Sequence, residues 1–267
     1  MPQQWIDPYA GFRYTPETVS VTREHQRDKL TACGIRPDVF GDDVDPAFFI
    51  GLAIHAGINS GITAEGNINM LQSLTVYRPA MLDEELSVTG MIRDVQPVPR
   101  GRTLHSQVSF SDADGRLVIQ ANRVSLKPDP DRQISRGAGD KPAPLVKDAA
   151  KLKRTATYQL TPEGVKAYSS EGNSIHYEEA AAARAGFRAP LIGGGMGVHF
   201  LMAHLWGLHA SQRPRAFSAE IYFRRPIFWD EAVVVAVDEG EVPGLMALLK
   251  PDGKVGTELA LHPIMST

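Results

Sequence analysis

Two segments of the chain are apolar on almost every helical face. They lie at about residues 46–60 (PAFFIGLAIHAGINS) and 194–209 (GGMGVHFLMAHLWGLH). A helix that is hydrophobic all round is buried on most of its surface. The segments that flank them alternate apolar and polar residues, which is typical of strands with one face on a core. The pattern therefore predicts two buried helices packed against antiparallel sheet, an α+β fold.

The two halves of the sequence repeat the same order of signals. An alternating strand, an Arg-Pro pair, three further residues and an Asp-Glu pair occur at 73–88 and again at 219–234. Each half then places an Asp-Gly dipeptide, a hairpin signal, before an apolar segment, at 114–115 and at 252–253. Several matches in the same order indicate an internal repeat.

The boundary between the two copies lies at residues 127–150. This stretch carries four prolines and two glycines and has neither helical nor strand periodicity. We predict an N-terminal domain at 1–128, a linker at 129–150 and a C-terminal domain at 151–267. Near the start of each domain a threonine, Thr22 or Thr161, is placed to cap a helix.

Charge and composition exclude several classes of function. Lys+Arg 28 against Asp+Glu 31 gives a net charge of -3, so no basic excess is present to neutralise a phosphate backbone, and we expect no nucleic-acid partner. The single cysteine, Cys33, excludes an internal disulfide. The start of the chain lacks a signal peptide, and no apolar stretch is long enough to span a bilayer. We expect a soluble, cytoplasmic protein with no membrane partner; a homodimer is left open.

Three histidines of the second apolar segment, His199, His204 and His209, invite a metal interpretation. Their spacing of five residues rotates each by about 140° around a helix from the one before. Because they cannot share a face, we expect no metal site and interpret them as polar positions of a core helix or of its last turn.

The segment 168–197 carries the candidate chemistry. Glu171, Asn173 and His176 cluster on a turn rich in serine, glycine and asparagine, and a run of three glycines, 193–195, opens the second apolar helix. A carboxylate and an imidazole are a general acid–base pair, and open backbone amides at a helix start favour developing negative charge. The spacing alone fits equally well a polar turn that caps the next helix and a tight connection into it.

This segment resembles the MaoC-like, or (R)-specific enoyl-CoA hydratase, family. The family's motif contains a tyrosine shortly before S-G-D-x-N-P-x-H, then A-x-x-x-G-F, then P-I-x-H-G. The residues that carry the resemblance are Tyr168, Asn173, His176, Ala182, Gly186, Phe187, Pro190 and Gly194. Four positions depart from the motif: Ser170 replaces a glycine, Glu171 the catalytic Asp, Ser174 a proline and Gly193 a histidine.

The resemblance implies a double hot-dog fold, with two antiparallel sheets that each wrap round a long buried helix. It also implies that the first domain is the degenerate partner of two-domain members and receives the acyl tail, around residues 48–52. The activity implied is reversible addition of water to a 2-enoyl thioester of coenzyme A or acyl carrier protein, with neither metal nor organic cofactor.

The same resemblance assigns roles to residues of the second domain. Glu171 and His176 hold the water and move its protons, Asn173 orients them, and the amide of Gly194 stabilises the thioester enolate. Further substrate-binding candidates are Ser170, Gly193 and Gly195 beside the reacting atoms, and Arg184, Arg188, Arg224 and Arg225 for the phosphates of coenzyme A.

Two alternatives to a hydratase remain at this point. Hot-dog thioesterases use the same scaffold to hydrolyse the thioester. A degenerate member would bind acyl thioesters without turning them over, which the four departures from the motif favour.

Overall fold

The computed structural model of the protein describes residues 5–129, 142–170 and 172–264. The strands in these residues are β1 (Glu17–Val19), β2 (Ile68–Val76), β3 (Leu86–Val98), β4 (Gly101–Ser111), β5 (Leu117–Pro128), β6 (Lys153–Gln159), β7 (Phe217–Phe223), β8 (Ala232–Val237), β9 (Leu245–Leu249) and β10 (Val255–Pro263). The α-helices are α1 (Arg23–Ala32), α2 (Phe48–Asn59), α3 (Pro162–Ser169), α4 (Glu179–Arg184) and α5 (Gly194–Trp206). Short 3₁₀ helices lie at Pro37–Phe40, Ala149–Lys151 and Ser174–His176.

All ten strands belong to one antiparallel sheet, in the order β1-β3-β4-β5-β2-β7-β10-β9-β8-β6. When β1 to β5 are matched in turn with β6 to β10, the two halves have the same strand order from the edge of the sheet to its centre. The two sheets expected of the halves are joined into this single sheet, because β2 and β7 pair directly from Leu71 with Tyr222 to Val76 with Phe217. This pairing satisfies the backbone groups that an edge strand in each half would otherwise expose.

The two apolar segments form α2 and α5, as their pattern predicts. Both helices pack against the sheet and contact each other. The central strands supply fully buried side chains beneath them, among which Leu74 on β2 and Ala219 on β7 are paired across the junction of the two halves. One hydrophobic core therefore extends through both halves.

Local sequence signals explain where several elements begin and turn. Thr22 accepts a hydrogen bond from the amide of His25 at the start of α1, and Thr161 accepts one from the amide of Gly164 at the start of α3. Both are N-caps of the predicted kind. Gly115 and Gly253 each have a φ of 76°, the left-handed conformation that the two Asp-Gly hairpins require.

A buried ion pair attaches the second part of the predicted linker to the sheet. The carboxylate of Glu258 on β10 has no exposed surface and pairs with the guanidinium of Arg224. It also accepts hydrogen bonds from the amides of Leu145 and Val146, each at 3.0 Å. Residues 130–141 of the predicted linker lie outside the described residues. No helix in the described ranges combines the length and the apolar character needed to cross a bilayer.

We predict that Glu258→Gln destabilises the protein by about 3 kcal/mol, the scale of a broken buried ion pair. The amide nitrogen of glutamine would face the amides of residues 145–146, and Arg224 would lose its counter-charge. Urea denaturation measures the free energy of unfolding. Asp252→Asn, at an exposed hairpin position, is the control and should change it by less than about 0.5 kcal/mol. Equal effects of the two substitutions would contradict the structural role of Glu258.

Candidate active site

A short polar turn after α3 sets the position of His176. Asn173 accepts a hydrogen bond from the amide of Ile175 at 3.2 Å through its side-chain oxygen and so caps the 3₁₀ helix Ser174–His176. The capping interpretation of this polar residue is therefore realised in the structure. Because the oxygen of Asn173 is used in the cap, the amide nitrogen is the group it can offer to a ligand.

The imidazole of His176 is half-buried and held by one backbone contact. Its Nδ1 lies 2.8 Å from the carbonyl oxygen of Leu191. A carbonyl only accepts, so Nδ1 carries the proton and Nε2 is left as an acceptor. Burial lowers the pKa of His176, an effect that the Leu191 carbonyl opposes in part. The ring is therefore neutral at pH 7 and presents a basic nitrogen.

The acceptor nitrogen of His176 faces the start of α5. A Cβ on Gly193 would stand 3.6 Å from Nε2, so the glycine keeps open the space in front of the ring. Gly194 allows a closer approach, since a Cβ there would stand 2.6 Å from the ring of Phe223. Within the described ranges, no group accepts a hydrogen bond from the amides of Gly194 and Gly195. His176 and these open amides thus border the same space.

Glu171, the predicted catalytic carboxylate, lies outside the described residues. Its neighbour Ser170 is exposed and is the C-cap that follows α3, with its amide bonded to the carbonyl of Lys166 at 3.0 Å. The structure thus locates the imidazole and the amides of the predicted site, whereas the position of the carboxylate stays a prediction.

A hydrogen-bonded chain behind this site joins the two halves of the protein. Tyr168 Oη lies 2.9 Å from Nε2 of His199, and Nδ1 of His199 lies 2.7 Å from Asp45 Oδ2. The side chains of His199 and Asp45 are fully buried. Burial raises the pKa of Tyr168 well above its usual range, so the phenol stays protonated. With the phenol donating to Nε2, Nδ1 carries the proton that Asp45 accepts.

This chain fixes the segment that leads into the candidate site. Tyr168 is in the last turn of α3, His199 is on α5, and Asp45 precedes α2. The Tyr168 hydroxyl also lies close to the first turn of α5, 3.5 Å from where a Cβ on Gly195 would stand. Phe48, at the start of α2, contacts the His199 ring with centroids 4.8 Å apart.

The sequence predicts His199 only as a polar position in a core helix or its last turn, without its partners. A spacing argument compares residues within one helix, whereas Asp45 is 154 positions away in the chain. The available signal was an ionisable residue in each half next to an apolar helix. In the described ranges no group of three His, Cys, Asp or Glu side chains is arranged to hold a metal ion.

The segment 48–52, expected to receive the acyl tail, is divided between site and core. Phe48 borders the Tyr168–His199 chain, whereas Phe49 is fully buried and stacks edge-on against Phe110 with centroids 4.9 Å apart. Only the beginning of this segment therefore lies near the candidate site.

The four candidate arginines have different surroundings. Arg224 is committed to Glu258 and to the carbonyls of Pro142 and Ala143. Arg188 is exposed and forms two hydrogen bonds with Asp230, at 2.8 and 2.9 Å. Arg225 is exposed and donates to the carbonyl of Val255 at 3.1 Å. Arg184 ends α4, is exposed, and forms no ion pair with another described residue.

We predict that Tyr168→Phe lowers the free energy of unfolding by about 1–3 kcal/mol, because it leaves buried Nε2 of His199 without its donor. Tyr222→Phe is the matched control, since the Tyr222 hydroxyl has only a 3.5 Å contact with Glu220; its effect should be below about 0.5 kcal/mol. Combination with Asp45→Asn should be non-additive by at least 0.5 kcal/mol, as in a shared network. Additive effects in urea denaturation would contradict a single hydrogen-bonded chain.

Comparisons by sequence identify no relative: no family model matches the chain, and no curated protein matches it. Comparison of structures finds proteins with a similar fold. HtdX from Mycobacterium tuberculosis superposes with a TM-score of 0.73 at 19% identity, covering 93% of this chain and 98% of that one. A MaoC-like dehydratase from Phytophthora capsici gives 0.69 at 16% identity, covering 97% and 99%.

A third solved structure supplies a description of the architecture. A conserved hypothetical protein of Mycobacterium tuberculosis, described as a double hot-dog fold, superposes with a TM-score of 0.61 at 13% identity, covering 94% of this chain and 96% of that one. Identities this low establish the fold and nothing finer. The chain has the double hot-dog fold that is found in MaoC-like dehydratases.

Proposed function

We propose that the protein catalyses the reversible hydration of a 2-enoyl thioester to the 3-hydroxyacyl thioester. The observation that carries the proposal is the acceptor nitrogen of His176 facing the open amides at the start of α5. Hydration of such a substrate needs a base for a water molecule and donors for the thioester oxygen, and this arrangement offers both.

His176 suits the role of the base. Its Nδ1 proton is engaged by the Leu191 carbonyl, so Nε2 is the nitrogen available to a water molecule. The oxygen of that water forms a bond to C3 while its proton passes to the protein, and C2 receives a proton as the enolate collapses. Acid–base help of this kind contributes roughly 10²–10⁴ in rate.

The amides of Gly194 and Gly195 suit the role of the oxyanion site. The thioester oxygen gains negative charge when water adds at C3, and amides at a helix start favour that charge. The loss of one such donor costs roughly 10²–10³ in rate in other enzymes. Gly193 leaves the space between these amides and His176 free for the reacting atoms.

Glu171 is proposed as the second proton-transfer group, on the strength of its place in the motif. It would hold the water together with His176 and exchange protons with it. Asn173, whose oxygen caps the 3₁₀ helix, would orient the water through its amide nitrogen. The side chain of Glu171 is one methylene longer than the family Asp, so the turn has to compensate for the extra length.

The similar structures support this class of reaction over hydrolysis. Two that superpose well over nearly the whole chain are a MaoC-like dehydratase and HtdX, and the motif at 168–194 resembles a hydratase. We propose a coenzyme A thioester as the substrate, with exposed Arg184, Arg188 and Arg225 as cations near its phosphates. A non-catalytic binder remains the second candidate, because four positions depart from the family motif.

We predict that His176→Ala and Glu171→Gln each lower kcat by at least about a hundredfold, since each removes one proton-transfer group. The assay follows loss of enoyl absorbance from short 2-enoyl-CoA esters. His204→Ala is the control, because burial lowers the pKa of His204 too but this ring lies late in α5. Circular dichroism checks that all three variants fold. Unchanged rates in either site variant would refute the assignment of that residue.

The proposal also predicts the acid side of the pH profile. The base must be unprotonated, and burial lowers the pKa of His176 from its ordinary value of 6.5. Activity assigned to His176 is therefore lost only as pH falls through a value below 6.5, where Nε2 becomes a donor. A profile of kcat/KM against pH measures this value. An acid-side midpoint above 6.5 that His176→Ala removes would contradict a buried neutral base.

A further inference from the structure

The side chain of Arg123 is half-buried and has no carboxylate counter-charge among the described residues. It lies on β5, paired in register with Gln72 on β2 and Ser106 on β4. Burial lowers its pKa to about 10, so the guanidinium still carries its charge at neutral pH. Within the described ranges no carboxylate pairs with it, and its one polar contact is with Asn69 Oδ1 at 3.4 Å. Buried charges in proteins are ordinarily paired.

The guanidinium borders a cleft between the end of α2 and the sheet. The free space there admits a water-sized group. Polar side chains dominate the wall beside Arg123, and they are Tyr14, Asn67, Ser106 and Ser125. The apolar wall comes from α2 and its following loop, with Ala53, Gly57 and Ile62. A small polar group fits such a cleft, and a bulky ring does not.

Two neighbouring amides also have unused hydrogen-bonding groups. Gln72 is fully buried, and among the described residues neither its Nε2 nor its Oε1 has a partner. Asn67 Oδ1 is likewise buried and unpaired. Buried polar groups of native proteins ordinarily bond to another protein group, to water or to a bound ligand. Gln72 is paired in register with Arg123, so its Nε2 is a second donor for an anion that the guanidinium binds. Asn67 Oδ1, by contrast, repels an anion.

Arg123 and the candidate active site lie on the same face of the sheet. β5, β2 and β7 are neighbours, and Gln72 pairs with both Arg123 and Ile221. Phe223 lies two residues after Ile221 on β7 and is therefore on the same face of the sheet. Gly194 packs against the ring of Phe223. Two strand spacings separate β5 from β7, about 10 Å. An acyl chain bound at the amides of α5 would therefore have to run across β2 toward Arg123, and the long side chain of Arg123 would have to cover part of that distance.

We propose that Arg123 and Gln72 form a subsite for a carboxylate at the far end of the acyl chain, so that the protein prefers ω-carboxyacyl thioesters to alkyl ones. The inference rests on the proposed function in one respect, since it assigns the carboxylate to a thioester substrate. The charge-assisted bond from a planar guanidinium to a carboxylate is strong and geometrically specific, and no described residue supplies such a partner to Arg123.

Binding of two saturated thioesters tests the subsite without any turnover. Glutaryl-CoA and pentanoyl-CoA have acyl chains of the same length and differ in a terminal carboxylate. By calorimetry, the wild-type protein should bind glutaryl-CoA about tenfold to a hundredfold more tightly, the value of a hydrogen bond to a charged group. Arg123→Gln should remove this preference and leave the affinity for pentanoyl-CoA within about threefold. Arg93→Gln, an exposed arginine on β3 of the same half, should preserve the preference.

Thermal stability separates a ligand-binding arginine from a structural one. Arg123→Gln should leave the melting temperature of the free protein unchanged or raise it, because it removes a half-buried charge that has no carboxylate partner among the described residues. Stabilisation by added glutaryl-CoA should be lost in the same variant. A variant that melts lower without ligand and keeps the preference for glutaryl-CoA would overturn the proposal.

The remaining outcomes distinguish the two proposals. If glutaconyl-CoA and 2-pentenoyl-CoA are hydrated equally well and Arg123→Gln changes neither rate, the subsite is refuted and the hydratase stands. If neither is hydrated while glutaryl-CoA still binds through Arg123, the hydratase is refuted and the subsite stands. If free glutarate stabilises the wild-type protein but neither thioester binds, the site takes a free carboxylate and the assignment to an acyl chain is wrong. Equal affinity of the wild-type protein for both saturated thioesters also refutes the subsite.

Discussion

The hydrogen-bonded chain from Asp45 through His199 to Tyr168 determines where the candidate site lies. Asp45 precedes the buried helix of one half, His199 is inside the buried helix of the other, and Tyr168 leads into the polar turn. Buried polar groups are stable only when each has its partner. Since each of these three groups depends on the next, the turn that carries His176 cannot move independently of the two core helices.

Absence of side chains at the start of α5 is as important to the site as the groups that are present. A Cβ at Gly194 would collide with Phe223, and a side chain at Gly193 would fill the space before Nε2 of His176. Glycines there bring the helix start, with its open amides, against the sheet and the imidazole. The base and the oxyanion donors thus face a common space, because the start of α5 borders that space with backbone atoms and no side chains.

Much of the architecture was predictable from the sequence because it follows from local patterns. The two all-apolar helices, the threonine caps and the Asp-Gly hairpins each depend on a few consecutive residues, and all three are confirmed. The strands that join the two halves were not identified, because the pairing of β2 with β7 is a contact between segments about 150 residues apart in the chain. The roles of Asp45 and Arg123 could not be predicted for the same reason. Asp45 is defined by its bond to His199, and Arg123 by its surroundings on neighbouring strands, and both involve segments distant in the chain. The motif predicted the segment that holds His176, but Asn173 shows that a residue of the motif also caps a helix.

The most direct test of the central claim follows the oxygen of water into the product. Short 2-enoyl-CoA esters are incubated with the protein in ¹⁸O-labelled water, and the products are analysed by mass spectrometry and by a thiol assay. The account predicts a 3-hydroxyacyl-CoA that carries the label at C3, with the thioester intact and no free thiol. Label in a released carboxylic acid, together with free coenzyme A, would contradict it and make the protein a thioesterase. Binding without incorporation of label anywhere would make it a non-catalytic carrier of acyl thioesters.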